Sequence, residues 1–296
     1  MRIFVTGASG WVGSAVVQEL LGAGHKVLGL ARSDSAAAAI KAAGAEVQRG
    51  SLDTPDSLRG AVRSCDAVIH TAFNHDFSKF VENCNADARA IEIMGEELKG
   101  SERPMLVTGG LALLASGRPA TEEDVPSPNA NVPRMSEAAA AKVAAQGVRA
   151  SVVRLPPSVH GLGDHGFVPH LIRLARDKQA AAFIDKGDNH WAGVHRLDAA
   201  RVFRLAIERG VGGERYHAVE EPSVPFKAIA ALIGRRLGVP VVSRSGEAAI
   251  EHFGWFAGFA GLEMYATSER TRTLLNWEPK QPPLLDDLDQ PGYFGA

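Results

Sequence analysis

VTGASGWVGSAVVQELLGAG, residues 5–24, joins an apolar run, RIFVT, to an amphipathic stretch through Gly7, Gly10 and Gly13, spaced three apart. Gly7 allows a tight turn off a strand, Gly10 lets backbone amides approach a ligand, and Gly13 lets the following helix pack closely on the sheet. The first turn of such a helix has N–H groups without internal partners and carries the positive end of the helix dipole. An anion placed there is stabilised by both, so a strand, a glycine turn and a helix at this spacing form a cradle for a dinucleotide pyrophosphate. Glycine triplets alone occur in many strand–helix turns; the strand before and the helix after supply the context that gives this one meaning.

Working outward, apolar runs recur at 2–6, 26–31, 45–50, 67–72, 105–110 and 150–155. Helical patterns lie between them at 11–23, 34–43, 55–63, 79–99 and 135–147. Strands that are apolar throughout and separated by helices predict an α/β fold, a Rossmann-type doubly wound parallel sheet covered on both faces. From Pro156 the pattern breaks into the loop PPSVHGLGDHG (156–166), and later segments are short and mixed. The expected organisation is a dinucleotide-binding domain over 1–159, with 192–220 returning to it, and a smaller C-terminal substrate-binding lobe over 160–296. Within the returning segment, HRLDAARVFRLAIERG (195–210) predicts a helix capped by Asp198.

A chain of 296 residues with 45% hydrophobic composition can bury a large core. Its formal net charge of −2 offers no basic field for nucleic acid or an anionic membrane surface. No apolar run approaches the ~20 residues that span a bilayer. The opening MRIFVTGASG enters a strand directly, without a basic-then-apolar leader, and Cys65 and Cys84 have no metal-type spacing. A reduced, cytoplasmic setting is expected. His160, His165 and His170 recur at intervals of five rather than the i,i+4 of a helical metal pair, so no metal site is expected.

The end of the second strand bears on cofactor choice. A site for the unphosphorylated ribose places a carboxylate there, whereas this chain has Ala31-Arg32-Ser33. A guanidinium and a hydroxyl suit a 2′-phosphate, so NADP(H) is expected over NAD(H). Asp34 reads as the N-cap of the next helix.

TGASGWVG (6–13) resembles the TGxxGxxG signature of the short-chain dehydrogenase/reductase superfamily. VVRLPPSVHGLGD (152–164), the segment 191–219 and LLNWEPKQPPLLDDL (274–288) are similar to its extended, NAD(P)-dependent epimerase/dehydratase-like branch. FNHDF (73–77), PRMSE (133–137) and VHRLD (194–198) together resemble an atypical subgroup of that branch. The resemblance implies that Gly7, Ser9, Gly10, Trp11, Val12 and Gly13 surround the pyrophosphate and that Asp53 faces the adenine. It places Thr71, Ala72 and Phe73 on the ribose side, and Pro156, Pro157 and Ser158 at the nicotinamide carboxamide.

The chain departs from the superfamily where proton transfer is done. A Tyr-x-x-x-Lys pair is usual, the lysine lowering the phenol pKa toward neutrality. Tyr216, Tyr265 and Tyr293 have no lysine four residues on; aligned by Ser136-Glu137, Pro133 takes the tyrosine position and Glu137 the lysine position. Arg134 stands beside the vacancy and can polarise an oxygen but not surrender a proton. Glu137 is either its carboxylate partner or a first-turn acid favoured by the helix dipole. Thr108, at the end of the fifth strand, is the hydroxyl there. His75, beside Asp76 in the loop after strand four, is the preferred proton carrier, because loops at the carboxyl ends of such strands face the cofactor crevice.

HFGWFAGFAG (252–261) reads first as core and second as the wall of an apolar pocket. The function expected is an NADP(H)-dependent oxidoreductase moving a hydride between nicotinamide and a small, possibly apolar carbonyl or alcohol substrate. A non-catalytic redox sensor and a sugar-nucleotide epimerase or dehydratase follow in that order. By analogy with relatives whose helices 79–99 and 135–147 pair two subunits, the chain is expected to be a monomer or a homodimer.

Overall fold

The structure, a computed structural model, describes every residue except 113, 115, 116, 127–133 and 296, and the side chain of Phe77. In its first half strands and helices alternate: β1 (Arg2–Thr6), α1 (Trp11–Gly22), β2 (Lys26–Ala31), α2 (Asp34–Ala42), β3 (Glu46–Arg49), α3 (Pro55–Arg63) and β4 (Ala67–His70). Then come α4 (Phe80–Glu96), β5 (Met105–Gly110), α5 (Ser136–Ala144) and β6 (Ala150–Leu155). The later chain forms β7 (Ser158–His160), α6 (Phe167–Asp177), β8 (Ala181–Ile184), β9 (His190–His195), α7 (Arg196–Arg209) and β10 (Arg215–His217). It closes with β11 (Glu221–Pro225), α8 (Phe226–Leu237), β12 (Val241–Arg244), α9 (Gly246–Phe253), α10 (Ala257–Ala260), α11 (Glu269–Leu275), α12 (Leu284–Leu288) and α13 (Pro291–Phe294).

Seven strands form one parallel sheet in the order β10-β6-β5-β4-β1-β2-β3. Alternate residues of β1 serve opposite faces: Ile3 and Val5 pack with α1, α2 and α7, while Phe4 packs with α3, α4 and α5. Burial on both faces explains why these strands read as continuous apolar runs rather than as alternation. The direction of winding reverses between β1 and β4. Their carboxyl ends therefore diverge and leave the crevice in which such sheets hold ligands.

The remaining elements build a second core around a β11-β9-β7 sheet and the β12-β8 pair. Trp191 sits at its centre, 4.9 Å from the Phe226 ring and 6.0 Å from that of Phe256, both edge-on. Such aromatic pairs contribute about 0.5–1.5 kcal/mol each beyond their buried area. Phe253 and Phe256 of the 252–261 stretch belong to this core, whereas Trp255 is exposed.

Local chemistry moved two expected caps by a few residues. Ser33 caps α2, its Oγ accepting the Ala36 N–H at 3.2 Å; Asp34 is the first helical residue and pairs with Arg49. Either side chain can cap, but Ser33 has the extended backbone that the position needs. Likewise His195, not Asp198, caps α7, its Nδ1 accepting from Leu197 N–H at 3.3 Å. Asp198 is fully buried and instead accepts the backbone N–H groups of Lys280 and Gln281 at 2.9 and 2.8 Å, tying the C-terminal segment to α7.

Candidate active site

At the crevice, Gly7 takes a φ of +67°, which disfavours any residue with a Cβ. A Cβ on Gly13 would stand 2.0 Å from the Gly7 carbonyl oxygen and 2.7 Å from Thr71 Oγ1. Gly13 is thus required by the turn itself as well as by helix packing. No side chain caps α1 at Gly10, and no acidic residue lies in its first turn. Its leading N–H groups and dipole are left for an outside anion, and the turn fits a pyrophosphate. Ser9 and Gly10 are exposed on its rim, and Trp11 and Val12 are half-buried.

At the end of β2, Arg32 is exposed and makes no ion pair or side-chain hydrogen bond within the described residues. Arg49, from the end of the adjacent β3, reaches the same place through its pair with Asp34. Two guanidinium-bearing residues, Arg32 and Arg49, therefore stand at the carboxyl ends of the neighbouring strands β2 and β3. Asp53 is exposed in the following turn, its N–H donating to Ser51 Oγ at 3.2 Å.

Beyond β4 the chain leaves the strand at Thr71, whose hydroxyl donates to the Thr6 carbonyl at 2.7 Å. Ala72 N–H donates to Thr6 Oγ1 at 3.3 Å, and the Thr6 hydroxyl meets His70 Nδ1 at 2.7 Å. His70 Nε2–H donates to Asp87 Oδ1 at 2.9 Å, since an ionised carboxylate only accepts. Ser136 Oγ–H donates to the other oxygen, Asp87 Oδ2, at 2.5 Å, and accepts from Arg134 Nε–H at 3.1 Å. A buried chain of polar groups thus runs from the end of β1 to Arg134, just ahead of α5. Burial pushes the Asp87 carboxyl up, but His70, Ser136 and the charge of Arg134 outweigh it and hold the group below its usual value. The Arg134 guanidinium lies 4.1 Å above the Phe73 ring. Pro133 lies outside the described residues.

His75 meets the other side of this cluster, its ring edge-on to Phe73 at 5.2 Å. It stands at the open mouth of the crevice, where desolvation by the surrounding walls, then Arg134 and His165, lower its pKa. Asp76 points away from it: its carboxylate caps the next turn through Ser78 N–H at 3.1 Å.

Glu137 is not the partner of Arg134. It accepts from Arg154 Nε at 2.9 Å, from Arg154 Nη2 at 2.6 Å and from Arg215 Nε at 2.8 Å, locking α5 to β6 and β10. Arg154 is fully buried and also donates to the Asp124 carbonyl at 2.6 Å and meets His217 Nε2 at 3.1 Å. His217 Nδ1–H donates to the Thr267 carbonyl at 2.8 Å, and burial holds the pKa of this imidazole down at about 4. Thr108 spends its hydroxyl proton on the His70 carbonyl at 2.8 Å, bracing β5 against β4. Its oxygen can still accept, but it has no second proton to give.

The segment 156–166, expected to be a loop, in fact contributes β7 at Ser158–His160, paired in parallel with β9. Pro156 and Pro157 lack N–H groups and offer only carbonyls, while Ser158 Oγ is buried without a hydrogen-bond partner among the described residues. Trp11 Nε1–H donates to the Val159 carbonyl at 2.7 Å, joining the glycine turn to this loop. The Arg196 guanidinium stacks 4.0 Å over the Trp11 ring, and His165 approaches its edge at 5.7 Å. Asp164, which sequence reasoning did not single out, accepts Gly166 N–H at 2.7 Å; burial raises its pKa to about 6. Of the other histidines, His160 is buried against Asp287 at 2.9 Å and His170 lies beside Trp255.

Residues 3–97 match the model of the NAD dependent epimerase/dehydratase family. A protein of Schizosaccharomyces pombe described as uncharacterized is 49% identical over 99% of this chain and 100% of its own. The chain belongs to the NAD dependent epimerase/dehydratase family. Membership makes it an NAD(P)-binding protein of the oxidoreductase, epimerase and dehydratase class. A 4-hydroxy-2-methyl-3-oxo-4-farnesyl-3,4-dihydroquinoline-1-oxide ketoreductase of Stigmatella aurantiaca is 28% identical over 81% of this chain and 74% of its own. In fold the chain is similar to a nucleoside-diphosphate-sugar epimerase from Pseudomonas aeruginosa, with a TM-score of 0.78, 18% identity, and coverage of 100% and 99% of the two chains. Among the described residues no helix is long and apolar enough to cross a membrane.

Proposed function

We propose that this family member is an NADP(H)-dependent oxidoreductase that moves a hydride between nicotinamide and a small carbonyl or alcohol. The observation that carries the reading is Arg134, stacked on Phe73 and braced through Ser136 at the β1/β4 crevice. When bound, the nicotinamide supplies the hydride chemistry; the chain supplies position, field and proton. The uncapped first turn of α1 holds the pyrophosphate, and Arg32 with Arg49 favours a phosphorylated ribose. Arg134 orients the reacting oxygen and stabilises negative charge growing on it, a role that needs no proton of its own. His75 exchanges the proton at the mouth of the crevice. With its pKa lowered, it stands neutral at pH 7 and is ready to accept a proton from an alcohol.

Titration with NADPH and NADH, followed by carbonyl-dependent NADPH oxidation, tests this reading. NADPH is expected to bind at least about tenfold more tightly, in keeping with ~1.5–3 kcal/mol for hydrogen bonds to a charged group. The double variant Arg134→Ala, His75→Ala is expected to keep its NADPH affinity and lose turnover about a hundredfold or more. Intact turnover in that variant would reject the residue assignment, and no saturable binding of either nucleotide would reject the function.

A further inference from the structure

An arginine at the crevice offers different chemistry from a tyrosine–lysine pair. A tyrosine–lysine pair moves a proton, whereas a guanidinium keeps its charge throughout and presents a planar fork matched to a carboxylate. Here that fork is held in one orientation. Phe73 lies 4.1 Å beneath it and Ser136 fixes Nε at 3.1 Å, itself set by Asp87 and His70. Asp87 balances the charge from behind, and each of its oxygens is already occupied, Oδ1 by His70 and Oδ2 by Ser136. The two Nη groups of Arg134 therefore have no hydrogen-bond partner among the described residues.

The adjacent groups are also basic. His75 shares the Phe73 ring, and His165 is close enough to act on His75 electrostatically. Asp164, the acid near His165, accepts the Gly166 N–H and lies on the Arg196 side of the loop. The crevice thus presents a guanidinium whose two Nη groups have no partner among the described residues, with His75 across the same Phe73 ring.

Resting on the oxidoreductase reading above, we infer that Arg134 is a carboxylate receptor and that the substrate is a small 2-oxo or 3-oxo acid, or the matching hydroxy acid. In such a compound the carboxylate and the carbonyl are close enough for one guanidinium to hold the first beside the second. The same binding event would prepare proton transfer. A carboxylate on Arg134 would cancel part of the positive field at His75 and so raise its proton affinity.

Calorimetric titration of the NADP⁺-loaded protein tests this without turnover, because the oxidised cofactor cannot reduce an oxo acid. The probes are acetoacetate and 2-oxobutyrate, each paired with its methyl ester. Each acid is expected to bind at least about tenfold more tightly than its ester, from ~1.5–3 kcal/mol for a charge-assisted hydrogen bond. Arg134→Gln is expected to abolish that preference with NADP⁺ affinity unchanged, and Arg134→Lys to keep part of it. Absent or equal binding of acid and ester, or a preference that survives Arg134→Gln, would overturn the inference and leave cofactor binding intact. Failure of NADP⁺ itself to bind would instead strike the underlying reading.

Discussion

Glu137→Lys reverses the charge at the start of α5, and the structure predicts that the protein loses stability as a result. Glu137 accepts three hydrogen bonds, at 2.6, 2.9 and 2.8 Å, from Arg154 and Arg215. The Arg154 side chain is 0% exposed and that of Glu137 only 13%. Removing one partner of a buried pair costs about 3–5 kcal/mol, and a lysine adds repulsion to the loss. At roughly 2 °C per kcal/mol for a chain of this size, the melting temperature should fall by about 6–10 °C. Glu137→Gln, which keeps an acceptor oxygen, should fall by about half as much. A compensating Arg154→Glu would not rescue the lysine, because it would set a carboxylate against the Asp124 carbonyl that Arg154 now satisfies. Thermal unfolding followed by circular dichroism at neutral pH measures all three. A melting temperature for Glu137→Lys within about 3 °C of the parent would refute the assignment of Glu137 to the fold.

Gly13→Ala would force a methyl group against the Gly7 carbonyl, 2.0 Å from the new Cβ, so nucleotide binding measured by calorimetry should weaken at least about tenfold. Arg32→Ser should reduce affinity for NADPH about tenfold and leave that for NADH within about twofold; equal losses for both would remove Arg32 from the ribose phosphate. Burial keeps Asp164 protonated to higher pH in the fold than in the unfolded chain, its pKa raised from 3.8 to about 6. The native state thus binds more protons than the unfolded chain between those values, and the group's contribution to stability declines as pH rises through that window. Asp164→Asn should match the parent near pH 3 and exceed it by up to about 3 kcal/mol above pH 7, less whatever solvent screens. Urea unfolding across that range would disprove this if the gap were flat or widened toward acid.

The central sheet was legible because burial on both faces leaves unbroken apolar runs, and the six runs named from sequence coincide with β1 to β6 to within two residues. The caps were less legible: serine and aspartate stand side by side at 33 and 34, and only backbone conformation separates them. The polar chain behind Arg134 was missed although it leaves a trace. Asp87 lies on the stripe of α4 that also carries Cys84, Ala90, Ile91 and Met94, and an acid on a buried stripe requires a buried partner. Arg154 leaves a similar trace as a charge inside the largely apolar strand ASVVRL. Asp164 leaves none, since its perturbed carboxyl depends on how a glycine-rich loop folds over it.

The indole bridge from Trp11 to the Val159 carbonyl also makes the molecule its own optical probe. Of its four tryptophans, Trp191 and Trp277 are sealed in the cores and Trp255 lies on the outside of the second lobe, so Trp11 is the one beside the diphosphate turn. Reduced nicotinamide absorbs where indole emits, so energy transfer from Trp11 to a bound reduced cofactor would report occupancy in real time. A colour change at a single native residue would then stand in for any attached dye.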